Sequence, residues 1–183
     1  MLCVKPGDHA THWRKVEEVL SVVDTDLGFS EVGIRWPDKT KVFMYVADKK
    51  VVGLLLAESI DKAYRIIPNN GKIQLTNRIR NDERLSNLAM KRSIFFLEVE
   101  ISGKVYCCSE QSEPVRAGIS RIWVLADFRR GRVASCLVDC MRAGFYLDHY
   151  LDKDEFAFSD PTVDGIGFAS KYMQSNEFLV YNR

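Results

Sequence analysis

Three arginines, Arg129, Arg130 and Arg132, crowd around Gly131 in the run Gly118 to Ala134, GISRIWVLADFRRGRVA. The run reads as a strand, a positively charged turn and then a helix. That order places free backbone N–H groups and a helix N-terminus where a pyrophosphate can lie, and the forked donors of arginine suit phosphate oxygens. A solvated basic turn is the plainer account of the same three residues. Further along comes FSDPTVDG, Phe158 to Gly165, in which Asp160 precedes Pro161 and Thr162, an arrangement that caps helices. His149 has the right type for a general base, although a lone loop histidine is ordinarily just exposed. Cys136 and Cys140 stand at helical i, i+4 spacing, with no histidine tied to them in sequence to activate a nucleophile.

The elements that must position these residues follow from periodicity. Val16, Val19, Leu20, Val23 and Leu27 make one apolar stripe, so a helix is expected from His9 to Asp26, stopped by Gly28. Val42 to Ala47 and Val51 to Ser59 read as an antiparallel hairpin turning at Asp48-Lys49-Lys50. Tyr64 to Ile67 should extend that second run after a turn or bulge. Pro68-Asn69-Asn70-Gly71 signals a turn, and the polar stretch Asn77 to Asn87 a loop or short solvated helix. Ile94 to Ile101 and Lys104 to Cys108, split at Ser102-Gly103, suggest a second hairpin. Then come a strand Gly118 to Leu125, a helix Arg132 to Tyr146, a strand Phe156 to Ser159, a helix Asp164 to Met173 and a last strand Phe178 to Tyr181. Antiparallel strands followed by alternating helices and strands imply an α+β sheet with helices on both faces.

Composition narrows the class. The 183 residues suit one domain with a sizeable core, at 46% hydrophobic and 28% charged. A formal net charge of +1 leaves no bulk attraction to nucleic acid, so any basic surface must be local, and the arginines from Arg121 to Arg132 are the obvious one. The five cysteines, with the vicinal pair Cys107 and Cys108, are no disulfide framework and read as small buried hydrophobes. MLCV runs straight into Lys5-Pro6-Gly7, which is not a signal peptide, and the longest apolar run, Val51 to Ala57, is too short to span a bilayer.

The turn Arg129 to Ala134 resembles the acetyl-CoA loop of GNAT-type N-acetyltransferases, [RQ]-x-x-G-x-[GA], with Arg132 where that motif has glycine and Gly131 one residue early. Its flanks narrow the resemblance. GISRIWV, SDPTVDG and FLVYN, together with VDTDLGF, DKKVVGLLLAE, YRII, YCCS and EPVRAGISRIWV, are similar to the catalytic domain of the Eco-type sister-chromatid cohesion acetyltransferases. The resemblance covers most of the chain, the segment Pro68 to Val105 excepted. It implies a GNAT-like fold: a mixed, mostly antiparallel central sheet, helices on both faces, and a splayed central strand pair that admits the pantetheine arm. Family members carry a zinc finger upstream. Here only Cys3, His9 and His12 stand near the start, and no zinc site of that spacing can be built from them, so one domain over residues 1–183 and no metal are expected.

The resemblance also implies roles. Ile122, Trp123 and Val124 would present backbone to the cosubstrate acetyl-CoA. The turn from Arg129 through Arg130, Gly131, Arg132, Val133 and Ala134 to Ser135 would hold its pyrophosphate, and Thr162, Val163 and Asp164 would close over it. Lysine acetylation needs a neutral amine, and a free lysine with a pKa near ~10.4 is neutral only about once in a thousand at neutral pH. Asp160 matches the family's base and Ser120 its partner. Asp139, where members have Glu, and Lys153 match two further catalytic positions. The implied activity is transfer of acetyl to a lysine on the SMC-type ATPase head of cohesin, in the nucleus on chromatin, with no membrane and no specific nucleic-acid contact from this domain. Acetylation of another protein or small amine, or acetyl-CoA binding without turnover, are the alternatives.

Overall fold

The first helix, α1, spans Ala10–Leu27. Its stripe buries Val16, Leu20 and Val23 completely and leaves Val19 and Leu27 partly covered at its edges. His9 caps the start through Nδ1, which accepts from the Thr11 amide, and Gly28 ends it at φ 76°, a left-handed position that glycine adopts without steric cost. The computed structural model describes residues 1–29, 33–67, 99–101, 104–159 and 161–182. The turn expected at Pro68-Asn69-Asn70-Gly71, the stretch Asn77 to Asn87, the start of the strand at Ile94 and the break at Ser102-Gly103 lie outside the described residues.

The chain divides into two units, Met1–Asp61 with Arg116–Phe156, and Lys62–Val115 with Ala157–Arg183. In the first, β1 (Leu2–Val4), β2 (Thr40–Ala47), β3 (Lys50–Ser59) and β7 (Ala117–Val124) form an antiparallel sheet in that order. The β2–β3 turn is two residues long, with Asp48 and Lys49 both at positive φ, the backbone that matches the twist of a hairpin. The fully buried β3 core, Val52 and Leu54 to Ala57, agrees with its uniform apolarity.

Side chains alternate between two faces of this sheet. Val42, Met44, Leu54, Leu56 and Trp123 pack with α1. The other face receives α2 (Val133–Gly144), whose Val133 and Leu137 lie over Gly53 and whose Gly144 lies over Phe43. Helices therefore cover both faces, as expected. A Cβ at Gly53 would come within 2.7 Å of Val133 Cγ1 and 3.1 Å of Leu137 Cδ1, so α2 reaches the sheet only because residue 53 has no side chain.

In the second unit β8 (Phe156–Ser159) runs parallel to β9 (Leu179–Tyr181), which pairs antiparallel with β4 (Lys62–Ile67). Then come β6 (Lys104–Pro114) and β5 (Val99–Ile101), also antiparallel. Phe158 and Phe178 meet edge to face at 5.6 Å. The third helix, α3, spans Val163–Met173 and is capped by Thr162, whose Oγ1 accepts from the Gly165 amide. Two expectations change here. Tyr64 to Ile67 is not an extension of β3 but part of a strand of its own, and β6 runs six residues past Cys108. The polar run Ser109 to Glu113 is held extended by pairing with β4, from Lys62↔Pro114 to Ile67↔Cys107, a long-range cause that composition does not reveal.

Gly53→Ala should crowd the stiff Val133 side chain and destabilise the fold by about 1–3 kcal/mol, the usual range for overpacking. Denaturant unfolding checks this; an unchanged midpoint would mean that α2 has room to move.

Candidate functional site

Strand β7 carries an irregularity at the position that matters. Arg121 pairs with Leu56 and Ile119 with Ala57, so Ser120 is one residue too many for the ladder. It is a β-bulge, and bulges re-aim side chains. Ser120 is buried, and its Oγ donates to the Leu56 carbonyl at 3.3 Å. Above the bulge, Arg121 and Trp123 both turn toward α1. Arg121 Nε bonds Asp24 Oδ1 with both side chains almost wholly enclosed, at 1% and 0% exposure. The guanidinium carbon lies 4.4 Å from the Phe29 ring centroid, and the second Asp24 oxygen accepts from the Gly33 amide. Trp123 Nε1 donates to Asp26 Oδ2 at 3.0 Å. Arg121 is therefore not part of a basic surface, contrary to the reading of the arginines as one cluster. Burying its aliphatic stem and pairing its charge outweighs solvation once the bulge has turned it inward.

The ladder also settles which backbone groups of β7 face away from β3. The Leu125 amide donates to the Val52 carbonyl at 2.9 Å. Antiparallel pairs alternate, so Trp123 directs its backbone to β3 while Ile122 and Val124 direct theirs away from it. The Val124 carbonyl already receives Arg129 Nε at 3.0 Å.

After β7 the chain turns through a short 3₁₀ segment, Ala126–Phe128, and enters α2. Arg130 and Arg132 take φ of 61° and 63°, a left-handed backbone that costs a non-glycine residue on the order of 1–2 kcal/mol. The bond from the Cys136 amide to the Arg132 carbonyl, 2.9 Å, opens the helical ladder. The amides of Val133, Ala134 and Ser135 precede that ladder and emerge at the helix end, and Arg132 offers no side-chain cap. Arg129, Arg130, Gly131 and Arg132 are exposed, Val133 is buried, and Ala134 and Ser135 are partly covered. The helix dipole, three outward amides and exposed arginines fall within one short stretch of chain, an arrangement that suits an anion.

The remaining expected residues divide as follows. Asp139 is exposed on α2, and Lys153 is partly buried in the 3₁₀ turn Lys153–Glu155. Thr162, Val163 and Asp164 form the exposed first turn of α3 in the second unit. Asp160 lies outside the described residues. His149 does not stand alone: its Nε2 lies 2.6 Å from Glu155 Oε2. That carboxylate also accepts from the Asp152 amide and from Arg116 Nε. The Asp152 amide first, then the His149 ring, hold the Glu155 carboxyl below the usual carboxylate range. The cysteines are less buried than expected: among those described Cys108 is enclosed, Cys136 and Cys140 are partly covered and Cys3 is exposed. Burial raises the Cys140 thiol pKa, with Cys136 adding to it, which disfavours thiolate chemistry there. Sequence reading passed over Asp24 and Glu58. Glu58 is wholly buried opposite Gly118, two residues before the bulge; a lone acid closing an apolar run was the available signal.

A bulged sheet strand running through a left-handed basic turn into an uncapped helix, within an α+β mixed sheet, defines the GNAT class of N-acetyltransferase domain. Comparison narrows the class. The sequence pattern of the family described as ESCO1/2 acetyl-transferase matches residues 113–181. N-acetyltransferase ESCO1 of Homo sapiens is 39% identical over 183 residues, all of this chain and 20% of that protein, and N-acetyltransferase ESCO2 of Homo sapiens is 39% identical over 183 residues, 27% of its length. The solved xEco2 acetyltransferase domain bound to a CoA conjugate superposes with a TM-score of 0.77 at 37% identity, covering 100% of this chain and 92% of that one. The chain belongs to the ESCO1/2 acetyltransferase family. It spans about a fifth to a quarter of the length of those full-length human relatives.

Truncating one partner of the buried pair, Asp24→Ala, should cost about 3–5 kcal/mol by leaving the Arg121 charge enclosed without its carboxylate, whereas Asp24→Leu with Arg121→Met should cost much less. Urea denaturation of the three proteins tests this, and equal losses in both variants would refute it.

Proposed function

We propose that the chain works as one lysine N-acetyltransferase domain, taking acetyl from acetyl-CoA and placing it on a lysine of the SMC-type ATPase head of cohesin, in the nucleus on chromatin. The single observation that carries the cosubstrate assignment is the uncapped start of α2 behind Arg130 and Arg132. The pyrophosphate lies against the amides of Val133, Ala134 and Ser135. The pantetheine arm runs along β7, meeting the backbone of Ile122 and Val124 that points away from β3. Thr162, Val163 and Asp164 close over the cosubstrate.

In the reaction the target amine loses its proton to Asp160, directly or through water. The neutral nitrogen then attacks the thioester carbonyl, the C–S bond breaks, and CoA leaves as thiolate, which takes up the proton that the nitrogen gives up as the amide forms. Ser120 orients the amine or the acid from the bulge, where its hydroxyl is already held by the Leu56 carbonyl. Asp139 and Lys153 act at the substrate side. No acyl-enzyme is needed, and the raised pKa of Cys140 supports direct transfer.

Two experiments test the reading. Arg130→Gly with Arg132→Gly removes two charges and eases two left-handed positions, so the melting temperature should hold while acetyl-CoA affinity falls several-fold and loses much of its salt dependence. Calorimetry at two salt concentrations measures it, and an unchanged affinity would reject the phosphate turn. Asp160→Asn keeps the side-chain size but no longer accepts the amine proton. Turnover with labelled acetyl-CoA and cohesin head domains should drop roughly 10² to 10⁴-fold and recover in part as pH rises and more lysine is neutral without help. A wild-type rate would reject Asp160 as the base, and the cap of α3 is Thr162 in either case.

A further inference from the structure

We infer that the outer edge of β1 is a docking site for an extended acidic segment of a partner protein, which adds a strand there and seats one apolar side chain beside α2. Among the described residues nothing pairs with β1 on the side away from β2. Its backbone N–H and C=O groups on that side are a template for a further strand. The register Cys3↔Phe43 sets those two side chains on the sheet face that α2 covers. On that face lies an open hollow of about 300 Å³ whose lining includes Cys3, Phe43, Cys140, Gly144 and Leu147. Leu147 is 90% exposed beside it. Large apolar side chains held in water at a concave spot mark contact surfaces.

Charge selects the occupant. The two ionisable side chains lining the hollow besides its thiols are Lys5 and Lys41. Lys41 Nζ donates to the carbonyls of Gly144 and Phe145, neutral acceptors that leave its charge uncompensated. The acids that act on the lining thiols are Asp8, one of whose oxygens is engaged by the Lys5 amide, and Asp139. A second copy of this chain would bring lysine against lysine, which opposes self-pairing. A strand with glutamate or aspartate at alternate positions meets the two ammonium groups while its backbone completes the ladder. The hollow lies at the opposite end of α2 from the turn at Arg130 and Arg132, so docking there leaves the cosubstrate turn unobstructed.

The probe is an N-acetylated peptide alternating glutamate with valine around one central phenylalanine, titrated into the isotope-labelled chain and followed by amide NMR. Saturable shifts confined to Leu2, Cys3, Val4 and the residues around Gly144 and Leu147 are expected. Lys5→Glu should weaken binding tenfold or more and Leu147→Asp should abolish it. Both sites are exposed, so the variants should keep the wild-type melting temperature. N-methylation of alternate peptide amides should also abolish binding. The proposal is overturned by no saturation up to about 1 mM, a free energy near 4 kcal/mol. It is also overturned if the N-methylated peptide, or one with lysine in place of glutamate, binds equally well. Self-association of the chain that Leu147→Asp removes would overturn it in favour of a second copy.

Discussion

The buried bond between Arg121 and Asp24 is the constraint on which the rest of the first unit depends. Enclosing two charges costs several kcal/mol for each ion before their attraction is counted, so such a pair survives only where geometry is demanding. Here it joins the last turns of α1 to β7, and two residues along each element Trp123 and Asp26 repeat the connection. A helix anchored at two successive points cannot slide along its strand. Both anchors require that Arg121 and Trp123 face α1, and that requirement is met only because Ser120 is left over in the ladder with β3. A one-residue slip would turn every side chain of β7 to the opposite face. The ion pair, the bulge and the position of the Ser120 hydroxyl are thus one arrangement.

From that strand the position of the phosphate turn follows. Val124 ends β7 and is tied back to Arg129, the intervening 3₁₀ turn is short, and α2 must then start at Val133. The helix lies down on Gly53, whose lack of a Cβ lets Val133 and Leu137 approach the sheet. The turn is consequently held from both ends, which is how two arginines can be kept in a left-handed backbone that an unconstrained chain would avoid. The family's acetyl-CoA loop ordinarily relies on glycine for close approach. In this chain Arg132 stands in the glycine's place with a strained left-handed backbone, and the arginines of the turn are exposed.

Much was legible in the sequence because it is local. The stripe of α1, its stop at Gly28, the two-residue turn at Asp48 and Lys49, and the limits of β8 depend on neighbours a few positions away, and each appears within a residue or so of its expected place. The strand, turn and helix around Gly131 were readable for the same reason. The polar end of β6 was not, because its extended form comes from pairing with β4, which is distant in the chain. Arg121 was grouped with the turn arginines because sequence distance is blind to a bulge that reverses the facing of a side chain.

The sequence by itself determined the family, the limits of α1 and β8 and the positive charge of the turn, since motif words and helix ends are written in consecutive residues. Tertiary structure decided which arginines face solvent, which carbonyls of β7 are already taken, and that Ser120 stands at a bulge. Those outcomes depend on the register between strands far apart in the chain, where one unpaired residue changes every facing beyond it.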